Sequence, residues 1–253
     1  MTPLGFIGTG TMAAAMVTGL GGTGILVSPR GAAVAADLAR RFPGVRIAAD
    51  NQAVLDACDL VVLSVRPQIA ETVIRPLRFR PGQKVLSLIA ATSVSSLRDW
   101  IGLDLPIIRA IPLPFVADRA SVTPIFPPDA EVAALFDRLG TALPCRDIAE
   151  FDLFAVGSAL MGSYFGILET AQGWLRAQGL DDRAARAYLA GLFANLGKVT
   201  ADSPADFATL RAGHSTPGGL NEQIFRDFAA GGGTGALTAA LDRVLTRVRG
   251  LPG

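Results

Sequence analysis

Six residues near the start of the chain, Gly8-Thr9-Gly10-Thr11-Met12-Ala13, have the types and order to hold a diphosphate. They follow the apolar run Leu4-Gly5-Phe6-Ile7. Glycines at a strand end let the backbone come close to phosphate oxygens, and a helix starting there supplies unpaired N–H groups and a positive dipole end. Ala13 stands where a third glycine is usual, and a small residue is what close helix–strand packing needs. The cofactor candidates are therefore Gly8, Gly10, Thr11 and Met12. About twenty positions on, where an NAD-binding fold places a carboxylate for the ribose 2′-hydroxyl, stands Val27-Ser28-Pro29-Arg30. A hydroxyl and a guanidinium there suit a 2′-phosphate, so the expected cofactor is NADP(H), with NAD(H) as the alternative. Arg30 reads equally as a solvated residue opening the next helix.

Little else in the chain carries acid–base or metal chemistry. His214 is the single histidine, which excludes multi-histidine metal sites, and no metal is expected. It could serve as a general acid or be an ordinary loop residue. Cys58 and Cys145 are far apart and read as buried apolar residues of a reducing compartment. Hydride transfer from a nicotinamide needs mainly proximity and orientation from the protein, which fits so sparse an inventory. Asp202 and Asp206 flank Pro204 and look like helix caps.

The elements that must position these residues follow from the apolar pattern. Strands are expected at 4–7, 25–27, 45–48, 60–65, 85–89 and 106–110, and less clearly at 121–126 and 141–145. Helical patterns alternate with them, and the result is a doubly wound, mostly parallel Rossmann-type sheet. From Phe151 onward no strand is expected. Helices are placed at 154–178, from the cap Asp181 to Lys198, and at 205–212, 221–230 and 236–249, the last after the turn Gly231–Gly235. The boundary falls near 148, giving a dinucleotide-binding domain at 1–148 and an all-α substrate and dimerisation domain at 149–253. Its two long helices are apolar around much of their circumference, so a second copy of the chain is expected to cover them. A homodimer through the C-terminal helices, or a larger homo-oligomer, follows.

The chain has 253 residues, a net charge of +1 and 50% hydrophobic residues. No basic block points to nucleic acid or an anionic membrane surface, and neither is an expected partner. No uninterrupted apolar stretch is expected to span a bilayer, and the N-terminus lacks a basic leader, so the expected location is the cytoplasm.

Taken together, several strings resemble the pyrroline-5-carboxylate reductase family. Gly5 to Ala13 looks like its nucleotide turn, and Ser64-Val65-Arg66-Pro67-Gln68 is similar to its Ala-Val-Lys-Pro-Gln segment. Arg109-Ala110-Ile111-Pro112 is similar to Arg-x-Met-Pro, and Thr216-Pro217-Gly218-Gly219 to its Thr/Ser-Pro-Gly-Gly loop. Glu169 and Gly179-Leu180 match the family's long helix and its end. The resemblance spans essentially the whole chain and implies reduction of a small imine, 1-pyrroline-5-carboxylate, to L-proline. It sets Val65, Arg66, Pro67 and Ala90 beside the nicotinamide and adds Asn51 to the cofactor candidates. Asn221 and Thr216 become the catalytic candidates, and Ser158, Ser163, Gly218 and Gly219 the substrate-binding ones. The departures fall on the substrate side: Leu113-Pro114-Phe115 replaces Asn-Thr-Pro, Ser158 to Ser163 replaces Ser-Gly-Ser-Gly-Pro-Ala, and Leu220-Asn221 replaces two threonines. They leave open a reductase of another imine or carbonyl compound, or a nucleotide-binding regulatory protein without catalysis.

Overall fold

The computed structural model describes residues 3–251. The strands are β1 (Leu4–Ile7), β2 (Ile25–Val27), β3 (Val45–Ile47), β4 (Leu60–Leu63), β5 (Lys84–Ser87), β6 (Ile107–Ala110), β7 (Ser121–Phe126) and β8 (Gly140–Pro144). They form one sheet in the order β3-β2-β1-β4-β5-β6-β7-β8. Every neighbouring pair is parallel except β6 with β7, where Arg109 faces Phe126. Strand order reverses on either side of β1, so the loop leaving β1 opens into a crevice between the ends of β2 and β4. That crevice is where open parallel sheets bind ligands.

Helices α1 (Thr11–Leu20), α2 (Ala32–Arg41), α3 (Asn51–Ala57), α4 (Pro67–Ile74), α5 (Val94–Ile101) and α6 (Ala130–Asp137) link the strands. Phe6, Val27, Val62, Leu86 and Ile108 point to one face, under Met16, Val17 and Phe136. Ile7, Val61, Leu63 and Val85 point to the other, under Val54, Ile74 and Leu97. Alternate residues of β1, β2, β4, β5 and β6 thus feed two cores, which is why β2 and β4 read as unbroken apolar runs. A 3-10 turn at Pro114–Asp118, which the apolar pattern does not announce, follows β6.

Past residue 147 all regular structure among the described residues is helical, as expected. The bounds differ from expectation in two places. The expected helix 154–178 is two: α7 (Ile148–Ser158) and α8 (Leu160–Ala177), separated at Ala159. The last helix starts inside the glycine turn. In order come α9 (Asp182–Asp202), α10 (Phe207–Gly213), α11 (Leu220–Ala230) and α12 (Gly233–Val248). Asp181 and Asp206 cap α9 and α10 through Ala184 and Thr209 N–H, whereas Asp202 ends α9. The contacts divide the chain into one unit of 1–158 with 245–253 and a second of 159–244. In the first, Phe151 of α7 lies against Phe126 of β7, ring centroids 6.4 Å apart. One expectation needs correction. The stretch Ile148–Ala177 is long and apolar enough to cross a membrane by length and composition, although it is mostly unburied and turns at Ala159.

Candidate functional site

The first unit carries the glycine turn. Gly8 has φ +97°, and a Cβ there would stand 2.5 Å from the Ser64 carbonyl oxygen and 2.8 Å from Val65, so the backbone is wedged against the end of β4. Gly10 is different. It caps α1 in an extended conformation without any side-chain bond to the first N–H groups, and a Cβ built on it meets nothing within 4 Å. The N-terminus of α1, with Thr11 and Met12 in its first turn and no acidic residue, is thus left without a side-chain cap, and nothing crowds Gly10. This is the fit that a diphosphate requires.

The other cofactor candidates gather at the same end of the sheet. Ser28 follows β2, and its hydroxyl is turned inward, accepting a bond from Gly8 N–H at 3.0 Å. Of the pair Ser28 and Arg30, only Arg30 has its side chain in solvent. Asn51 opens α3, while the preceding Asp50 carboxylate is occupied capping that helix through Ala53 N–H at 2.8 Å. No carboxylate is therefore presented there by Asp50. Arg66 caps α4 with Pro67 at its first position, where proline's missing N–H costs nothing. Ala90 lies beyond β5, and its carbonyl accepts from the Thr92 hydroxyl at 3.2 Å. Beside it, Ala91 has φ +49°, a left-handed conformation uncommon without glycine or asparagine. Sequence offered no signal for that strain.

Ser158 also belongs to the first unit, at the end of α7. Its hydroxyl donates back to the Ala155 carbonyl at 2.7 Å. With Leu113 and Phe154 it lines an apolar recess of about 210 Å³ that no charged residue enters. Nearby in the fold, Arg109 of β6 is buried, its guanidinium 4.6 Å from the Phe151 ring centroid. Burial lowers its pKa against the opposing field of Asp152; burial raises that of Asp152 against Arg109 and Arg249. A lone charge inside Ile107-Ile108-Arg109-Ala110 was the sequence signal for this buried pair. Cys58 is buried, and its thiol is pushed up to about 11 by that burial and then by Asp59, so it is inert as a nucleophile.

The second unit brings the remaining candidates together in the loop between α10 and α11. Asn221 Nδ2 donates to the His214 carbonyl at 2.7 Å. Gly218, at φ +72°, donates its N–H to the Glu222 carboxylate at 2.6 Å, and Gly219 N–H donates to the Thr216 carbonyl at 2.8 Å. Thr216, Gly218, Gly219 and Asn221 thus form one short, self-bonded turn at the N-terminus of α11. His214 is exposed, with Nδ1 2.8 Å from the Leu210 carbonyl. Ser163 lies elsewhere in this unit, in an apolar groove of about 1030 Å³ that it shares with Trp174, Tyr188, Ile224 and Phe228. No group of three or more metal-ligating side chains occurs among the described residues.

Residues 3–91 match the family described as NADP oxidoreductase, coenzyme F420-dependent. The chain is 28% identical over 260 residues to pyrroline-5-carboxylate reductase of Pseudomonas aeruginosa, covering 96% of this chain and 94% of that one. Among solved structures it resembles 1-pyrroline-5-carboxylate reductase of Streptococcus pyogenes, with 24% identity, a TM-score of 0.86 and 99% of both chains covered. The NADP-bound pyrroline carboxylate reductase of Plasmodium falciparum superposes at a TM-score of 0.82 with 14% identity, over 98% of this chain and 97% of that one. Along nearly its full length the chain is similar in sequence to pyrroline-5-carboxylate reductases, and it shares their fold.

Proposed function

We propose that this chain is an NADP(H)-dependent reductase of the C=N bond of a small cyclic imine, and that 1-pyrroline-5-carboxylate, giving L-proline, is its substrate. The observation that carries this is the uncapped N-terminus of α1 opening at Gly10, in a chain that follows the reductases of that name along nearly its full length. A reduced nicotinamide supplies the hydride when bound. Gly10, Thr11 and Met12 hold the diphosphate on the turn that Gly8 lets close against β4, Arg30 and Asn51 hold the adenosine end, and Val65, Arg66, Pro67 and Ala90 border the ring.

On the substrate side, the Asn221 amide N–H is committed to the His214 carbonyl. One N–H of Nδ2 and the acceptor Oδ1 remain, and Oδ1 is the atom set to face a substrate nitrogen. An acceptor suits a protonated imine, whose N–H it orients while hydride adds to the carbon, leaving an amine N–H and no proton for the protein to supply. Thr216, Gly218 and Gly219 shape the same turn, and Ser158 and Ser163 are the further polar contacts. The nucleotide half covers residues 1–148, and the helical half from 149 supplies the substrate side and the contact between two copies. Trp174, Tyr188 and Phe165, all more than half exposed, form the apolar surface that a second copy covers. Two free buried cysteines suit the cytoplasm.

The test is oxidation of NADPH with and without 1-pyrroline-5-carboxylate: substrate-dependent oxidation is expected, and its absence rejects the substrate. A second reading, another imine, is favoured by one observation. Leu113, which replaces an asparagine of the family, lines the uncharged recess beside Ser158. A cyclic imine without a carboxylate turning over faster than 1-pyrroline-5-carboxylate would select it.

A further inference from the structure

The residue that ends β2 is a serine with no exposed surface. Its N–H donates to the Phe6 carbonyl at 2.9 Å, adding one rung to the ladder between β1 and β2. Its Oγ accepts from Gly8 N–H at 3.0 Å. The Thr9 hydroxyl, also buried, donates to the Ser28 carbonyl at 2.7 Å, and the two hydroxyl oxygens stand 3.3 Å apart. Only one arrangement of hydrogens satisfies all of these contacts. The Thr9 proton is committed to the carbonyl, so Ser28 is the donor between the two hydroxyls. The bonds then run from Gly8 N–H to Ser28 Oγ, from Ser28 O–H to Thr9 Oγ1, and from Thr9 O–H back to the Ser28 carbonyl. Each bond in such a buried chain polarises the next, and every member is partnered.

This network grips the glycine turn from the β2 side, opposite the Ser64 carbonyl that bounds Gly8 from the β4 side. It consumes the Gly8 N–H and both hydroxyls, and leaves the N–H groups at the start of α1 without a side-chain cap. We propose that Ser28 and Thr9 are positioning residues that brace the turn for the diphosphate, the 2′-phosphate being left to Arg30 as already read. The proposal rests on the dinucleotide reading and deepens it.

A brace for the diphosphate acts on what NADPH and NADH share; a ligand of the 2′-phosphate acts on NADPH alone. Dissociation constants for both nucleotides, from fluorescence titration of the full-length protein, separate the two. Ser28→Ala is expected to weaken NADPH and NADH by the same factor, about fivefold or more, from loss of its two buried hydrogen bonds, with the preference between them unchanged. Arg30→Ala is expected to weaken NADPH by about tenfold or more through loss of a charge-assisted contact, and NADH less than about twofold. Should Ser28→Ala fail to fold, Thr9→Ala removes two of the bonds without opening β2 and is expected to weaken both nucleotides by a common factor, with a melting temperature lowered by a few degrees. Loss confined to NADPH in Ser28→Ala overturns the proposal, as does unchanged affinity for both nucleotides in Ser28→Ala and Thr9→Ala. A parent protein that takes up neither nucleotide overturns the proposal together with the reading beneath it.

Discussion

At the scale of single residues, the two glycines of the turn do different work, and substitution separates them. Gly8 is held at φ +97° against Ser64, so Gly8→Ala must strain the backbone and displace a strand end. A loss of about 2 kcal/mol or more is expected in thermal or urea unfolding. Gly10 has an extended backbone that alanine adopts freely, with nothing within 4 Å of the added carbon. Gly10→Ala should leave the melting temperature almost unchanged and weaken NADPH binding by about tenfold, or 1.4 kcal/mol. Equal effects of both substitutions on stability would contradict this division. In the other unit, Asn221 ties its loop through Nδ2 and offers Oδ1. Asn221→Ala should lower kcat by about tenfold or more while NADPH affinity stays within about twofold, if the proposed contact at the reacting nitrogen is made. Unchanged turnover removes Asn221 from the site.

At the scale of elements, β5 and α6 are joined by charge. Lys84 Nζ lies 2.7 Å from the Asp129 carboxylate and 2.9 Å from that of Glu131. Asp129 also caps α6, accepting from Val132 N–H at 3.0 Å. Burial works against the Asp129 charge, but the bonds from Lys84 and Val132 outweigh it and leave its carboxyl below the usual value of 3.8. A folded-state pKa below the unfolded one adds stability in full above the unfolded value, and that stability is lost as pH falls through the folded one. The difference in melting temperature between parent and Asp129→Asn should be constant from pH 7 down to about 5 and shrink below about 4. Loss of the charged cap and pair should cost about 1 kcal/mol at neutral pH. A difference that widens on acidification would reverse the sign argued here.

For the molecule as a whole, the contrast lies between a sheet unit with two dry cores and a helical unit whose large apolar side chains stay uncovered. Trp174 is 62% exposed, Tyr188 68% and Ile224 70%, around one groove of the helical unit. Patches of that kind mark an interface. Light scattering should give the mass of at least two chains over a wide concentration range, and Trp174→Arg should lower it toward one chain while NADPH binding survives. A monomer at all concentrations would defeat the proposed assembly.

What the sequence determined by itself was the alternation of short apolar runs with helical patterns, the glycine turn after β1 and the change to helices alone. Each of these rests on neighbours in the chain: strand burial on both faces, the steric needs of a turn, the period of a helix. The loop that gathers Thr216, Gly218, Gly219 and Asn221 came from the resemblance to a known family, and its bonds from His214 to Glu222 join residues near in the chain. Tertiary structure decided what depends on residues far apart. Ser28 looks in sequence like a hydroxyl free to meet a phosphate; pairing of β1 with β2 sets it beside Gly8, where its Oγ accepts that residue's N–H. The break at Ala159, the 3-10 turn after β6 and the left-handed Ala91 likewise had no local signature. Whether a polar side chain meets a ligand or a neighbour is settled by what the fold sets beside it, and a linear pattern carries no such information.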